Sequence, residues 1–267
     1  MANLDSFVKS SRPPPKSIAT SQEVRDRGSI FVANIFSATT PDEARKAVHH
    51  LKHVAHASRP ATHEIAAWRC MVLRPGKTGL GGPDDFEVVS GSHDDGEKYA
   101  GGRVLKVMQA DGVIDAVVVV SRWYGGEMLG PARFDHIELC AREVCRTFRL
   151  KDDMATCIAT LTSLDDILAS LRAELASLTA AITVKTDTDS STQTAGNTSA
   201  TAPSEVDSSH PITPAPTAKS ATAHPSYTAL EESLDITKAK RLITARENSI
   251  KSVKLALQKA RAKLAEC

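Results

Sequence analysis

Val117-Val118-Val119-Val120-Ser121-Arg122-Trp123-Tyr124-Gly125-Gly126 decides the fold. Four consecutive valines suit a strand covered on both faces, since neither face then has to be polar. The run closes on an Arg-aromatic pair and two glycines, which marks a strand end and a turn. Upstream, Gly102 to about Ala110 reads as a helix with Val104, Leu105 and Met108 inward, stopped at Asp111-Gly112. Before that helix stands Asp94-Asp95-Gly96-Glu97-Lys98-Tyr99-Ala100-Gly101-Gly102-Arg103. The helix–strand unit between the two segments carries both loops toward one end of a sheet. Asp94, Asp95, Glu97, Gly101, Gly102 and Arg103 are therefore expected to share a polar rim with Arg122, Trp123, Tyr124, Gly125 and Gly126.

Working outward, Ser29 to Phe36 is apolar and rich in β-branched and aromatic residues, a first strand. Thr40-Pro41-Asp42-Glu43 then opens a helix, with a capping hydroxyl, proline at the first position and acids in the first turn. Thr62 to Leu73 reads as a second strand, and Arg74 to Ser92 as a Gly-, Pro- and Asp-rich loop with only a short edge pairing at Val88-Val89. Pro131 starts the helix that runs to about Arg149. This order predicts an α+β domain, a split β-α sandwich with helices on one face, over residues 28–155. Residues 1–27 are polar and are expected to lack structure.

Beyond residue 160 the pattern changes. Leu164, Leu168, Leu171, Leu175, Leu178 and Ile182 alternate by four and three, which predicts an amphipathic helix over 163–182, capped by Ser163. Residues 183–227 are Ser, Thr, Ala and Pro, a disordered linker and a candidate phosphorylation segment. Over 228–267, Ile236, Ile243, Ile250, Leu257 and Leu264 recur every seven residues in a basic, coiled-coil-like helix. The two helices are expected to pair as an antiparallel hairpin or to bind a helix of another chain; Arg246 at a seam position argues against the hairpin.

The formal net charge of +1 excludes a globally basic nucleic-acid binder but leaves room for a local basic patch. Five cysteines without a Cys-x-x-Cys pair speak for reduced thiols and not for a disulfide framework or a zinc ribbon. The N-terminus has no apolar core of a signal peptide, and no window is expected to span a bilayer, so the chain reads as soluble and cytoplasmic. Gly76-Lys77-Thr78 is not a phosphate loop, because the required upstream glycine falls at Met71.

The rim admits two chemistries. Asp94, Asp95 and Glu97 are close enough to bind a cation or to raise one another's pKa, or they form a solvated turn before a helix. Gly101-Gly102-Arg103 at a helix start, together with Arg122, suits phosphate or carboxylate. Alternatively, Arg122 pairs internally with Asp94, Asp95 or Glu97. Trp123 and Tyr124 are candidates to stack on a base or anchor a partner, or one of them is core. His49, His53 and His56 share a helix side but lack a fourth ligand, so no metal site, cofactor or catalytic residue is expected.

Asp94-Asp95-Gly96-Glu97, Ala100-Gly101-Gly102-Arg103, Val118 to Gly126, Leu129-Gly130-Pro131 and Arg133-Phe134-x-His136-Ile137 together resemble the IMPACT family, its eukaryotic branch more than its bacterial one. The likeness covers about residues 24–150. It implies a fold similar to the second domain of a small-subunit ribosomal protein, and a role in translational control. Eukaryotic relatives compete with the starvation-responsive initiation-factor-two kinase for its activator scaffold, through an N-terminal RWD domain, and bind monomeric actin. The short polar lead here is expected not to form that domain.

Overall fold

The valine run sits at the centre of a six-stranded antiparallel sheet. The structure, a computed structural model, describes the backbone of residues 13–190 and 226–266 and the side chains of 13–183 and 226–265. In chain order the first unit contains β1 (Ala19–Thr20), β2 (Val24–Asp26), β3 (Ser29–Ser37), α1 (Pro41–His50), β4 (His63–Leu73), β5 (Phe86–His93), α2 (Ala100–Ala110), β6 (Ala116–Trp123) and the start of α3 (Ala132–Ser190). The sheet order is β1-β3-β6-β4-β5, with β2 also pairing with β3. Thr40 caps α1 as its sequence dictates, accepting from the Glu43 N–H at 3.2 Å. A π-helical turn, Leu51–Ala55, extends that helix.

Because β6 has a neighbour on each edge and a layer on each face, all four valines are buried. Val118 and Val120 join Phe31, Ile35, Ile65, Val104, Met108 and Ile137 in a core beneath α2 and α3. Val117 and Val119 point the other way, to Phe36, Ala44, Ala47 and Leu51 beneath α1. Helices therefore cover both faces of the sheet, not one. The continuous valine run already required two covered faces; what it could not say was that α1 alone supplies the second.

Two further expectations change. Part of the 1–27 lead is structured, because β1 and β2 pair with the outer edge of β3, for example Val24 opposite Phe31. Residues 1–12 lie outside the described residues. The Arg74–Ser92 segment contains a full strand, β5, paired with β4 from Ala66↔His93 to Leu73↔Phe86. It is an edge strand with little apolar content, so its periodicity is weak. Gly91 is part of the pairing: a Cβ there would lie 2.3 Å from the ring of Trp68, its cross-strand partner.

Residues Met1–Asp152 and Asp153–Cys267 form two units. The helix expected at 163–182 is not separate, and Ser163 does not start it, because α3 runs unbroken from Ala132 to Ser190. That span holds no glycine or proline to stop it. In the second unit, Met154, Cys157 and Leu161 of α3 pack with Leu230 of α4 (Thr228–Ser233) and Ala239 of α5 (Ile236–Glu266). Farther along, Asp165 accepts from Arg246 and from the Tyr227 hydroxyl, and Glu174 pairs with Arg261. Contacts advance in the same direction along both helices, so α3 and α5 are parallel and not antiparallel. Arg246, the residue that argued against pairing, supplies one of its ion pairs. Residues 191–225, most of the expected linker, lie outside the described residues.

Within Ala132–Thr183 an 18-residue window reaches a mean hydropathy of 1.3, so by length and composition one helix could cross a membrane, contrary to the sequence expectation. Its apolar side chains at Met154, Cys157 and Leu161 have partners within the chain. Burial pushes the thiols of Cys70 and Cys140 up to about 11 and that of Cys145 up to about 12.

The parallel register has a direct check. Asp165→Arg alone is expected to lower stability by about 1–3 kcal/mol in urea denaturation, since it places two cations together beside a packed seam. Adding Arg246→Asp should recover at least half of that loss; no recovery would contradict the pairing.

Candidate functional site

Strand register builds the rim. Arg122 on β6 stands opposite Phe31 on β3 and His63 on β4, a row across three strands on the α2 side of the sheet. Over that row sits Glu97, only 6% exposed, from the loop that leads into α2. Its Oε2 accepts from Arg122 Nη1, and its Oε1 accepts from Arg133 Nε at 2.6 Å. His63 Nδ1 donates to the Asp95 carbonyl at 2.8 Å, which leaves Nε2 as the bare nitrogen when the ring is neutral, 3.9 Å from Glu97. Of the internal pairings open to Arg122, the one formed is with Glu97.

The two aspartates are occupied as well. Asp94 accepts from the Tyr99 N–H at 2.9 Å and the Gly101 N–H at 2.8 Å, so its carboxylate is already engaged at the start of α2. Asp95 accepts from the Glu64 N–H at 2.7 Å and from Lys52 at 2.9 Å. Burial works to raise the Asp95 carboxyl, but the Glu64 N–H and the Lys52 ammonium outweigh it and hold the group below the usual carboxylate value.

Around Glu97 a cavity of about 330 Å³ is lined by Thr62, His63, Arg122, Tyr124, Met128, Leu129, Gly130 and Arg133. Arg122 is 5% exposed and its Nε–H has no acceptor among the described residues. Tyr124 donates its hydroxyl to the Gly126 carbonyl and lies 5.7 Å from the Arg122 guanidinium. The cavity thus gathers two guanidinium groups, one carboxylate and an imidazole, with an apolar lip.

Residues 27–145 match the family described as the Impact N-terminal domain. This part of the chain is similar to the Impact N-terminal domain. Protein IMPACT of Rattus norvegicus is 39% identical over 134 residues, 49% of this chain and 37% of the relative. Protein IMPACT of Oryctolagus cuniculus is 38% identical over 121 residues, 45% of this chain and 35% of the relative. The chain spans little more than a third of the length of these curated relatives. Among solved structures it is similar to the two-domain translational regulator Yih1, with 34% identity, a TM-score of 0.31, and 47% of this chain and 44% of that one covered.

Not every residue read as part of the rim joins it. Trp123 points to the opposite side from Arg122, because successive strand residues alternate. Its indole N–H donates to the Arg59 carbonyl at 3.1 Å and its ring meets His56 edge-on. Arg103 faces α3 instead, 2.8 Å from Glu138 and over the Phe134 ring. Gly102 touches nothing a side chain would disturb, whereas Gly125 sits where a Cβ would be 2.0 Å from the Gly28 carbonyl carbon. Gly126 has φ +92° and shapes the turn after β6.

Arg133, Lys52 and Glu64 escaped the linear reading, whereas His63, at the start of the second strand, reaches the rim because the sheet order places it opposite Arg122. Arg133 and His63 complete the cavity, and Lys52 neutralises Asp95. On the α1 side, Glu64 is fully buried between His56 Nδ1 at 2.7 Å and the Ser121 hydroxyl at 2.5 Å. Its place as the one acid in a mostly apolar strand, His63 to Leu73, was the available signal. No group of three His, Cys, Asp or Glu suited to a metal ion occurs among the described residues.

Two outcomes are expected. Gly125→Ala should cost more than about 3 kcal/mol or prevent folding, while Gly102→Ala, inside α2, should be neutral or stabilising by about 0.5–1 kcal/mol, both read from urea midpoints. Asp95, with its folded value depressed, contributes stability above the unfolded carboxylate range near ~3.9 and loses it as pH falls through the folded value. Asp95→Asn should therefore flatten the fall in urea midpoint between about pH 6 and pH 3; an unchanged slope would count against the pairing.

Proposed function

We propose that this chain is a non-enzymatic, cytoplasmic regulator of the IMPACT type that acts through protein partners in translational control under amino-acid starvation, modulating activation of the initiation-factor-two kinase. The reading is supported by the likeness to the Impact domain together with one feature of the rim. Its inner charges are spent within the chain, Glu97 on two arginines, Asp94 on the start of α2 and Asp95 on Lys52. Tyr99, Tyr124 and Met128 protrude, 68%, 45% and 82% exposed, beside the exposed charges of Lys98 and Glu127. A rigid ion-paired base under exposed aromatic and thioether side chains suits recognition better than turnover. The partners in view are the kinase-activator scaffold and monomeric actin.

The experiment is direct binding of the full chain to each purified partner. Tyr124→Ala combined with Met128→Ala is expected to weaken the complex at least tenfold without changing the melting temperature. Binding to neither partner overturns the proposal. A second reading, a phosphate-ligand or RNA module, draws on the unpartnered Arg122 Nε beside the cavity. It requires that inorganic phosphate or RNA bind at the rim and that Arg133→Gln weaken that binding.

A further inference from the structure

The packing of α5 leaves most of its charge unused. Between Ile236 and Glu266 stand nine basic residues and two acids, Glu247 and Glu266. Arg246 and Arg261 are taken by Asp165 and Glu174 on α3. The other seven are exposed and make no ion pair among the described residues. At 100° per residue, Lys240, Arg241, Lys251, Lys259 and Lys263 fall within an arc of about 140°. That arc lies opposite buried Ala239, Ile250 and Leu257. From Lys240 to Lys263 the stripe is about 35 Å long at 1.5 Å per residue.

Such a stripe opposes helix stability. Lys259 and Lys263 are four apart, a spacing at which like charges repel. A surface serving only solubility would intersperse acids. The arrangement fits an external polyanion of comparable length. A bilayer fits poorly, because the apolar face of α5 is turned to α3, and on the outer face the large exposed apolar side chain is Leu255 alone. A nucleic-acid duplex fits well, offering a phosphate charge every ~1.7 Å along its axis to a row of lysines and arginine.

We propose that the outer face of α5 is a sequence-independent binding site for the phosphodiester backbone of nucleic acid. The site belongs to the second unit and does not use the rim, so it stands whether or not the rim binds a protein. Lysines as point charges without a bidentate or stacking partner give affinity and not base readout.

The test uses the full chain with a fluorescent RNA duplex of about 20 base pairs, a DNA duplex of the same sequence, and vesicles of phosphatidylserine and phosphatidylcholine. Duplex binding is expected, with log affinity falling against log salt at a slope of about −4.5 for five neutralised phosphates. Lys251→Glu, Lys259→Glu and Lys263→Glu together should weaken it more than tenfold and reduce the slope, with helicity by circular dichroism unchanged. Lys77→Glu with Lys106→Glu, in the first unit, should leave it unchanged. Equal affinity for the two duplexes supports recognition of the shared backbone, and tighter RNA binding supports it with RNA as the source. Capture by vesicles but not by either duplex overturns the proposal, as does unaltered duplex affinity in the triple variant.

Discussion

A single buried carboxylate organises the first unit. Glu97 lies between Arg122 of the central strand and Arg133 of α3, so one side chain ties the loop before α2, the sheet and the long helix together. A guanidinium buried in the sheet without a counter-charge would be costly, and so would a carboxylate at that depth. Each makes the other tolerable, and both depend on register: a slip of one residue in β6 would turn Arg122 toward α1 and bring Trp123 under Glu97. The close approach of Gly125 to Gly28 holds the turn that follows.

The alternation that places Arg122 also divides the chemistry of its neighbours. Arg122 and Tyr124 belong to the cavity around Glu97, whereas Trp123 closes a separate cluster with His56 and Arg59. Adjacent in sequence, they serve opposite faces. Glu64 and Ser121 repeat the pattern on the α1 side, where a buried carboxylate is again satisfied by two donors. Two polar networks back to back across one sheet explain why the rim carries so many charged residues while so little of that charge is free.

In the second unit the logic is amphipathic. A narrow apolar seam on α3 meets another on α5, and two ion pairs set their direction. A helix repeat specifies which side is buried but is nearly indifferent to polarity, since reversing one helix presents the same stripe. The charges decide: Asp165 and Glu174 meet Arg246 and Arg261 in matching order only when the helices run parallel.

Much was legible in the linear chain. The valine run demanded a central strand with two covered faces, Thr40-Pro41 demanded a helix start, and the block from Asp94 to Gly126 named the family and put two distant turns at one edge. These depend on local propensity, hydrophobic period and turn chemistry, which neighbouring residues settle among themselves. Left to tertiary structure were the edge strand β5, the parallel helices, and which arginine reached which carboxylate. Arg103 and Arg122 are alike in sequence, yet one faces Glu138 on a helix surface and the other is buried against Glu97. That difference comes from strand register and helix packing, which are set by contacts between residues far apart in the chain.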